Sequence, residues 1–149
     1  DVYKRQVKMT YIRDLKQQAE KLGVKIEEYP DKVIAKYSNI VVEGKIINNT
    51  IEVAIQGLPA PIKSVLKPER GYVQQTVYLG PAPITSVKYR ITEGGFLGTI
   101  KCFLTAVVII VTAVFALITV GIGLANPLFI LIAVFALLIG PIIAALICL

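Results

Sequence analysis

"CFLTAVVIIVTAVFALITVGIGLANPLFILIAVFALLIGPIIAALICL", residues 102–149, has no charged side chain, whereas the preceding part of the chain carries all 16 basic and 10 acidic residues. A helix over residues 102–124 would be about 35 Å long, enough to cross a hydrocarbon core of about 30 Å. Helices of soluble proteins usually keep a polar face, and this run has none. The sequence therefore favours membrane segments over a buried hairpin in a soluble protein.

The stretch "GIGLANP" divides this apolar run into two helices. Gly121 and Gly123 are typical of a helix end, Asn126 can cap the next helix, and Pro127 suits its first turn. The spacing predicts a tight hairpin.

We predict transmembrane helix 1 over residues 102–124 and transmembrane helix 2 over residues 126–149. The second is expected to kink near Gly140 and Pro141, with neighbouring groups or water bonding the backbone carbonyls that Pro141 frees. A shorter, re-entrant second segment is the alternative.

Two regular rows of residues predict how the hairpin helices pack. Polar residues recur at intervals of seven in the first helix, and small residues recur at intervals of four in the second. Small residues let membrane helices approach closely, and threonine hydroxyls bond either across helices or to their own helix. The predicted helix-packing residues are Thr105, Thr112, Ala116, Thr119, Ala136, Gly140 and Ala144.

Flanking charges predict the orientation of the hairpin. Lys88, Arg90 and Lys101 precede the first crossing, and the turn after it is uncharged, so the preceding domain is expected in the cytoplasm. An antiparallel hairpin places Cys102 and Cys148 at the same depth. In a reducing cytosol both are expected to be thiols, and acylation of Cys102 beside Lys101 is a weaker alternative.

The charged part of the chain predicts one small folded unit. Residues 9–93 form a candidate cytoplasmic α+β domain, and residues 94–101 a glycine-containing linker. The only methionine is Met9, and "DVYKRQ" resembles translated adapter sequence. Residues 1–8 are therefore expected to be a non-native leader.

Periodicity within residues 9–93 changes from that of a helix to that of strands. Ile12, Leu15, Ala19 and Leu22 make an apolar stripe that is expected to pack on the domain's own sheet. Alternation then predicts strands at 24–29, 33–37, 40–47, 50–56, 62–67, 72–79 and 84–91. The predicted fold is α+β: an N-terminal helix and an antiparallel β-meander, followed by a two-helix transmembrane hairpin.

A repeated motif occupies two of the connections. "PAPIKSV" at residues 59–65 returns as "PAPITSV" at residues 81–87. Alternating connections of a meander place both at one end of the sheet, and the chain is expected to reach the membrane from the other end. These stiff loops are the candidate partner-contact site, unless the repeat only preserves good turn chemistry. Its predicted residues are Pro59, Ala60, Pro61, Pro81, Ala82 and Pro83.

The residue composition argues against most catalytic and ligand-binding functions. The chain has no histidine, which excludes Ser–His and Cys–His nucleophile systems. No glycine-rich phosphate loop precedes a helix outside the apolar run, and the net charge of +6 is dispersed rather than clustered as in nucleic-acid-binding domains. No cofactor, metal site or nucleic-acid partner is expected.

The remaining expectation is a non-enzymatic, multi-pass integral membrane protein that displays a small cytoplasmic domain for protein contact or self-assembly. Its expected partners are the lipid bilayer and either another protein or a second copy of the chain. The alternative is a membrane-perturbing effector or holin-like oligomer with a regulatory soluble domain.

Overall fold

The computed structural model describes residues 2–122 and 127–149. Helix α1 (Val2–Lys21) begins within the predicted leader and precedes all seven strands. The strands are β1 (Lys25–Glu28), β2 (Lys32–Tyr37), β3 (Ile40–Ile47), β4 (Thr50–Gln56), β5 (Ile62–Glu69), β6 (Tyr72–Leu79) and β7 (Ala82–Tyr89). Helices α2 (Glu93–Gly98), α3 (Ile100–Ile122) and α4 (Leu128–Cys148) follow.

The strands form one antiparallel sheet in chain order, which confirms the predicted meander and the α+β class. Asn48 and Asn49 take positive φ angles of 49° and 65° in the two-residue turn between β3 and β4. The predicted β7 was wrong by two residues. Ala82 and Pro83 already pair with Leu79 and Tyr78, so the second repeated motif lies partly in the strand.

The sheet has one apolar and one polar face because its side chains alternate. Val33, Val42 and Val53 are fully buried on the apolar face. On the opposite face lie ion pairs such as Lys63 with Glu52, at 3.8 Å. The paired side chains are partly exposed, so this face is solvated rather than a second core, and such pairs contribute little stability.

Helix α3 covers the apolar face of the sheet over β2 to β4, and α2 and α4 contact β5 or β6. Residues 103–112 of α3 are all buried, and this helix contacts β2 and β3. A Cβ atom added to Gly44 of β3 would lie 2.5 Å from Val108 Cγ2 and 2.7 Å from Leu104 Cδ1. The sheet and α3 therefore share one core at a point where only glycine leaves enough room.

Helix α1 packs mainly on α3, with smaller contacts to α4 and β1. Ala19 is buried, and Ile12 and Leu15 pack against the core, whereas Leu22 is 38% exposed. The expectation that this stripe packs on the sheet is corrected, since α3 occupies the sheet face and provides most of the surface for α1.

Helix α3 runs back along the sheet. At its start the Lys101 ammonium donates to the carbonyls of Tyr29 and Pro30, between β1 and β2. Leu104 and Val108 then lie at Gly44, halfway along β3. The chain therefore heads toward the end that carries the repeated motifs. The expectation that those motifs point away from the membrane assumed the opposite direction, and that assumption is wrong.

The segment between β7 and α3 is not a simple glycine linker. The Thr92 hydroxyl accepts a hydrogen bond from the Gly95 amide and caps α2. Phe96 is fully buried, with its ring centroid 5.7 Å from that of Phe103. The expected linker is thus partly helical, because a cap and an aromatic contact stabilise it.

Substituting Gly44→Val should destabilise the fold by about 1–3 kcal/mol, since overpacking displaces Val108 and Leu104. Chemical denaturation would measure this loss. The matched control is Ala54→Val, which adds volume to the half-buried polar face and should change stability little. Equal stability of Gly44→Val and wild type would show that α3 does not lie on β3.

Candidate membrane-contacting surface

Both hairpin helices are long and apolar enough to cross a membrane, over Ile100–Thr119 and Leu128–Cys148. The protein covers them unequally. In the most apolar part of each helix, 67% of the residues are buried for α3 and 33% for α4. Helix α4 is therefore the one whose apolar surface is left without protein cover.

The exposed residues of α4 form a continuous row along the whole helix. The row, which ends at Leu149 directly after the helix, recurs at spacings of three and four and is 47% to 80% exposed, and Ile143 beside it is 37% exposed. Soluble monomers rarely expose apolar patches larger than a few hundred Å². We call this row the α4 stripe; its residues are Leu128, Leu131, Phe135, Ile139, Ile142, Leu146 and Leu149.

The predicted small-residue row of α4 faces α3. Ala136, Gly140 and Ala144 are buried, as is Cys148 one turn later. A Cβ atom on Gly140 would lie 3.4 Å from Val111 Cγ2, in ordinary van der Waals contact. The row therefore lies between the two helices, on the side opposite the α4 stripe.

The three threonines of α3 bond within their own helix. The hydroxyls of Thr105, Thr112 and Thr119 donate to the carbonyls four residues earlier, at 3.0, 2.8 and 2.6 Å. Ala116 is 3% exposed beside them. The hairpin turn predicted from Gly123 and Asn126 lies outside the described residues.

Cys102 and Cys148 form a disulfide bond, with their Cα atoms 5.9 Å apart. The hairpin brings them to the same depth as predicted, but the expectation of two thiols is wrong, and acylation of Cys102 with it. The bond joins the first turn of α3 to the last turn of α4. It therefore closes the open end of the hairpin.

A buried polar cluster joins the sheet to the middle of α4. Pro141 has no backbone N–H, so the Leu137 carbonyl loses its usual helical partner. The Gln75 amide, fully buried on β6, donates to this carbonyl at 2.5 Å and to the Ser64 hydroxyl at 2.8 Å. The Tyr89 hydroxyl lies within hydrogen-bonding reach of Gln75 Oε1 and of a second α4 carbonyl, that of Leu138. We call Ser64, Gln75 and Tyr89 the Gln75 cluster.

The Gln75 cluster fixes where α4 can dock. A freed carbonyl and a buried amide each cost free energy unless they are bonded, and here they satisfy each other. Burial also raises the pKa of Tyr89 to about 12, so its hydroxyl stays protonated even at pH 10, where an ordinary tyrosine is half ionised. The predicted bonding of a carbonyl freed by Pro141 is confirmed, with the sheet as the source of the donor.

The Gln75 cluster was not predicted from the sequence, although a signal was present. In β6, Val73, Gln75 and Val77 share one face by alternation, so one of the two adjacent glutamines has to enter the apolar side. An inward-facing amide requires a polar partner. Pro141 creates one, but the sequence does not show that these distant positions meet.

The repeated motifs lie side by side at one end of the sheet, as predicted. The Gly80 amide donates to the Pro61 carbonyl at 2.8 Å, which links the first motif to the residue just before the second. Their prolines are exposed, and so is Ala82, whereas Ala60 is half-buried. The two motifs form one apolar patch, which we call the proline patch: Pro59, Ala60, Pro61, Pro81, Ala82 and Pro83.

Comparison with protein-family models, with curated proteins and with solved structures finds no match to this chain. Within residues 2–122 and 127–149, no cluster of three or more His, Cys, Asp or Glu side chains could hold a metal ion. The surfaces described above are therefore the basis for a functional interpretation.

The Gln75 cluster predicts a pH-dependent stability. The folded-state pKa of Tyr89, about 12, exceeds its ordinary value of 10.0. Its contribution to stability is therefore complete below pH 10 and is lost as the pH rises from about 10 to 12. Chemical denaturation at pH 9 and pH 11 should show a smaller pH-dependent loss for Tyr89→Phe than for wild type.

At pH 9, Tyr89→Phe should also unfold about 0.5–1.5 kcal/mol more easily, because it lacks the hydroxyl that bonds Gln75. Tyr78→Phe on the polar sheet face is the matched control and should retain the wild-type pH dependence. The same pH dependence in Tyr89→Phe and wild type would contradict the assignment.

Proposed function

We propose that the chain is a non-enzymatic, membrane-associated protein. In this proposal the α3–α4 hairpin holds it to a bilayer, and its solvated sheet face is available for protein contact or self-assembly. The proposal rests on the apolar surface of α4 and on how little of it the protein covers. All of its side chains from Leu128 to Cys148 are uncharged and almost all apolar, yet the protein covers only a third of it.

Lipid suits the α4 stripe better than a second protein surface. Protein interfaces usually combine an apolar centre with a polar rim. The neighbours of the α4 stripe are instead half-buried apolar residues, including Ile130, Val134 and Leu138. A helix that is apolar on every side is expected either in a protein core or in a membrane.

We favour an arrangement in which α4 contacts lipid while α3 supports it from the protein side. In a two-pass arrangement both helices would leave the sheet, which would expose Val33, Val42 and Val53 to water. It would also separate Gln75 from the Leu137 carbonyl. That carbonyl would then be unbonded, which costs several kcal/mol in hydrocarbon. The same costs weaken the alternative of a membrane-permeabilising oligomer.

The polar sheet face is the proposed surface for a protein partner or a second copy. It carries tyrosine rings beside lysines: the Lys63 ammonium lies 5.5 Å from the Tyr78 ring centroid, and Lys88 lies 4.8 Å from that of Tyr72. Tyrosine is enriched in protein interfaces, and these side chains remain partly exposed.

The disulfide bond supports a location on the oxidising side of a membrane. Disulfides persist in secreted, periplasmic and lumenal proteins and are rare in the cytosol. The cytoplasmic placement predicted from Lys88, Arg90 and Lys101 assumed a helix crossing the bilayer, where flanking cations set orientation. That rule does not apply to a helix buried against its own sheet, so we propose the oxidising compartment instead.

The α4 stripe should determine binding to vesicles. Phe135→Glu combined with Leu146→Glu should lower partitioning into phosphatidylcholine vesicles more than about tenfold, because two exposed apolar side chains no longer enter lipid. Co-sedimentation measures this change. Tyr11→Glu combined with Ile47→Glu is the control, since it adds the same charge at exposed apolar positions outside α4. Equal binding by both double variants would remove the α4 stripe from the proposal.

The compartment is tested by trapping thiols in intact cells with a membrane-permeant maleimide. Neither Cys102 nor Cys148 should react until a reductant is added, because both sulfur atoms are in the disulfide. A gel shift after denaturation counts the modified thiols. Rapid labelling of both cysteines without reductant would place the protein in a reducing compartment.

A further inference from the structure

The two ends of the sheet differ sharply in charge. At the end with the proline patch, the connecting residues 38–39, 57–61 and 80–81 contain no charged side chain. The connecting residues at the opposite end include Asp31, Arg70 and Arg90. The connections at the proline patch are thus suited to an apolar environment, whereas the paired and exposed Lys25 and Lys36 keep the β1–β2 side of that end polar.

The hairpin extends this uncharged end. From Val108, which lies at Gly44, α3 continues for about 21 Å to its last residue, at 1.5 Å per residue. From Gly44, β3 continues for only about 13 Å to its own end, at about 3.3 Å per residue. Since α3 runs toward the proline patch, its last turns pass beyond the sheet.

Exposed apolar side chains occur both on the hairpin and beside the proline patch. Leu117 of α3 is 60% exposed, and Leu131 of α4 is 57% exposed. Ile84, the unpaired residue in the irregular pairing of β6 with β7, is 44% exposed within the second repeated motif. The prolines there lack backbone donors, so they lose no N–H hydrogen bonds to water on leaving it.

We propose that the proline patch is a second lipid-contacting surface, and that the protein enters the bilayer with this end deepest. The proposal rests on the proposed membrane association and specifies its geometry. Helix α4 lies tilted with the α4 stripe in lipid, and its first turns and the proline patch enter deepest into the boundary between headgroups and acyl chains. The charged end, with Asp31 and Arg70, stays in water.

This geometry gives the repeat a role. The two motifs provide the end of the sheet with two stiff, uncharged loops, joined by the bond from Gly80 to Pro61. Interfacial segments typically enter roughly 5–10 Å into this boundary. A loop of exposed prolines and alanines can do so without burying a charged group.

Tryptophan fluorescence tests the orientation, because the chain contains no tryptophan. The probes are Ile84→Trp at the uncharged end and Ile47→Trp at the charged end, which replace isoleucines of similar exposure, 44% and 43%. Each full-length variant is bound to phosphatidylcholine vesicles with brominated acyl chains. Emission from Ile84→Trp should shift to shorter wavelength and be quenched, and that from Ile47→Trp should stay close to its value in water.

Each result has a defined meaning. Binding with equal quenching of both probes, or with stronger quenching of Ile47→Trp, overturns the proposed orientation and leaves membrane association intact. Absence of binding by wild type overturns both proposals. A blue shift of Ile84→Trp without vesicles, together with a dimer in sedimentation velocity, would assign the patch to a second copy and overturn lipid contact. Ala82→Trp, at an exposed position in the same motif, replaces Ile84→Trp if that variant does not fold.

Discussion

The contact of α3 with the sheet is the constraint on which the other features depend. Leu104 and Val108 reach the sheet only because Gly44 has no side chain, and the residues around this contact are fully buried. With α3 fixed there, its small-residue neighbour α4 has to lie beside it. One surface of each hairpin helix is then used inside the protein, and the outer surface of α4, together with Leu117 of α3, faces the environment.

Polar groups determine the position of α4 more narrowly than apolar packing does. Apolar contact is non-directional, so α4 could slide along α3 at little cost. The carbonyl freed by Pro141 and the buried amide of Gln75 permit one register, because each requires the other. The disulfide adds a second fixed point at Cys102 and Cys148. A helix that resembles a membrane span is therefore docked through specific interactions.

This docking changes the meaning of the apolar run. A free hairpin suggests two crossings, with the charged domain standing clear of the bilayer. A hairpin folded over its own sheet suggests a protein that contacts lipid along α4 and at the proline patch, while its charged end remains in water. The repeated motifs were predicted on the side of the domain away from the hairpin, whereas in the structure they lie at the end that the hairpin approaches.

The sequence by itself determined the elements. Alternation predicted the meander almost strand for strand, with Asn48 and Asn49 in the turn between β3 and β4. The hairpin helices lie within two residues of their predicted ends wherever those ends are described. Local patterns suffice there because hydrogen bonding and side-chain period are local. Only the tertiary structure decided what covers α3, which partner Pro141 requires, and that Cys102 meets Cys148. An apolar helix is equally compatible with a protein core and with lipid. Hydrophobic periodicity shows which residues avoid water, but not whether protein or lipid surrounds them.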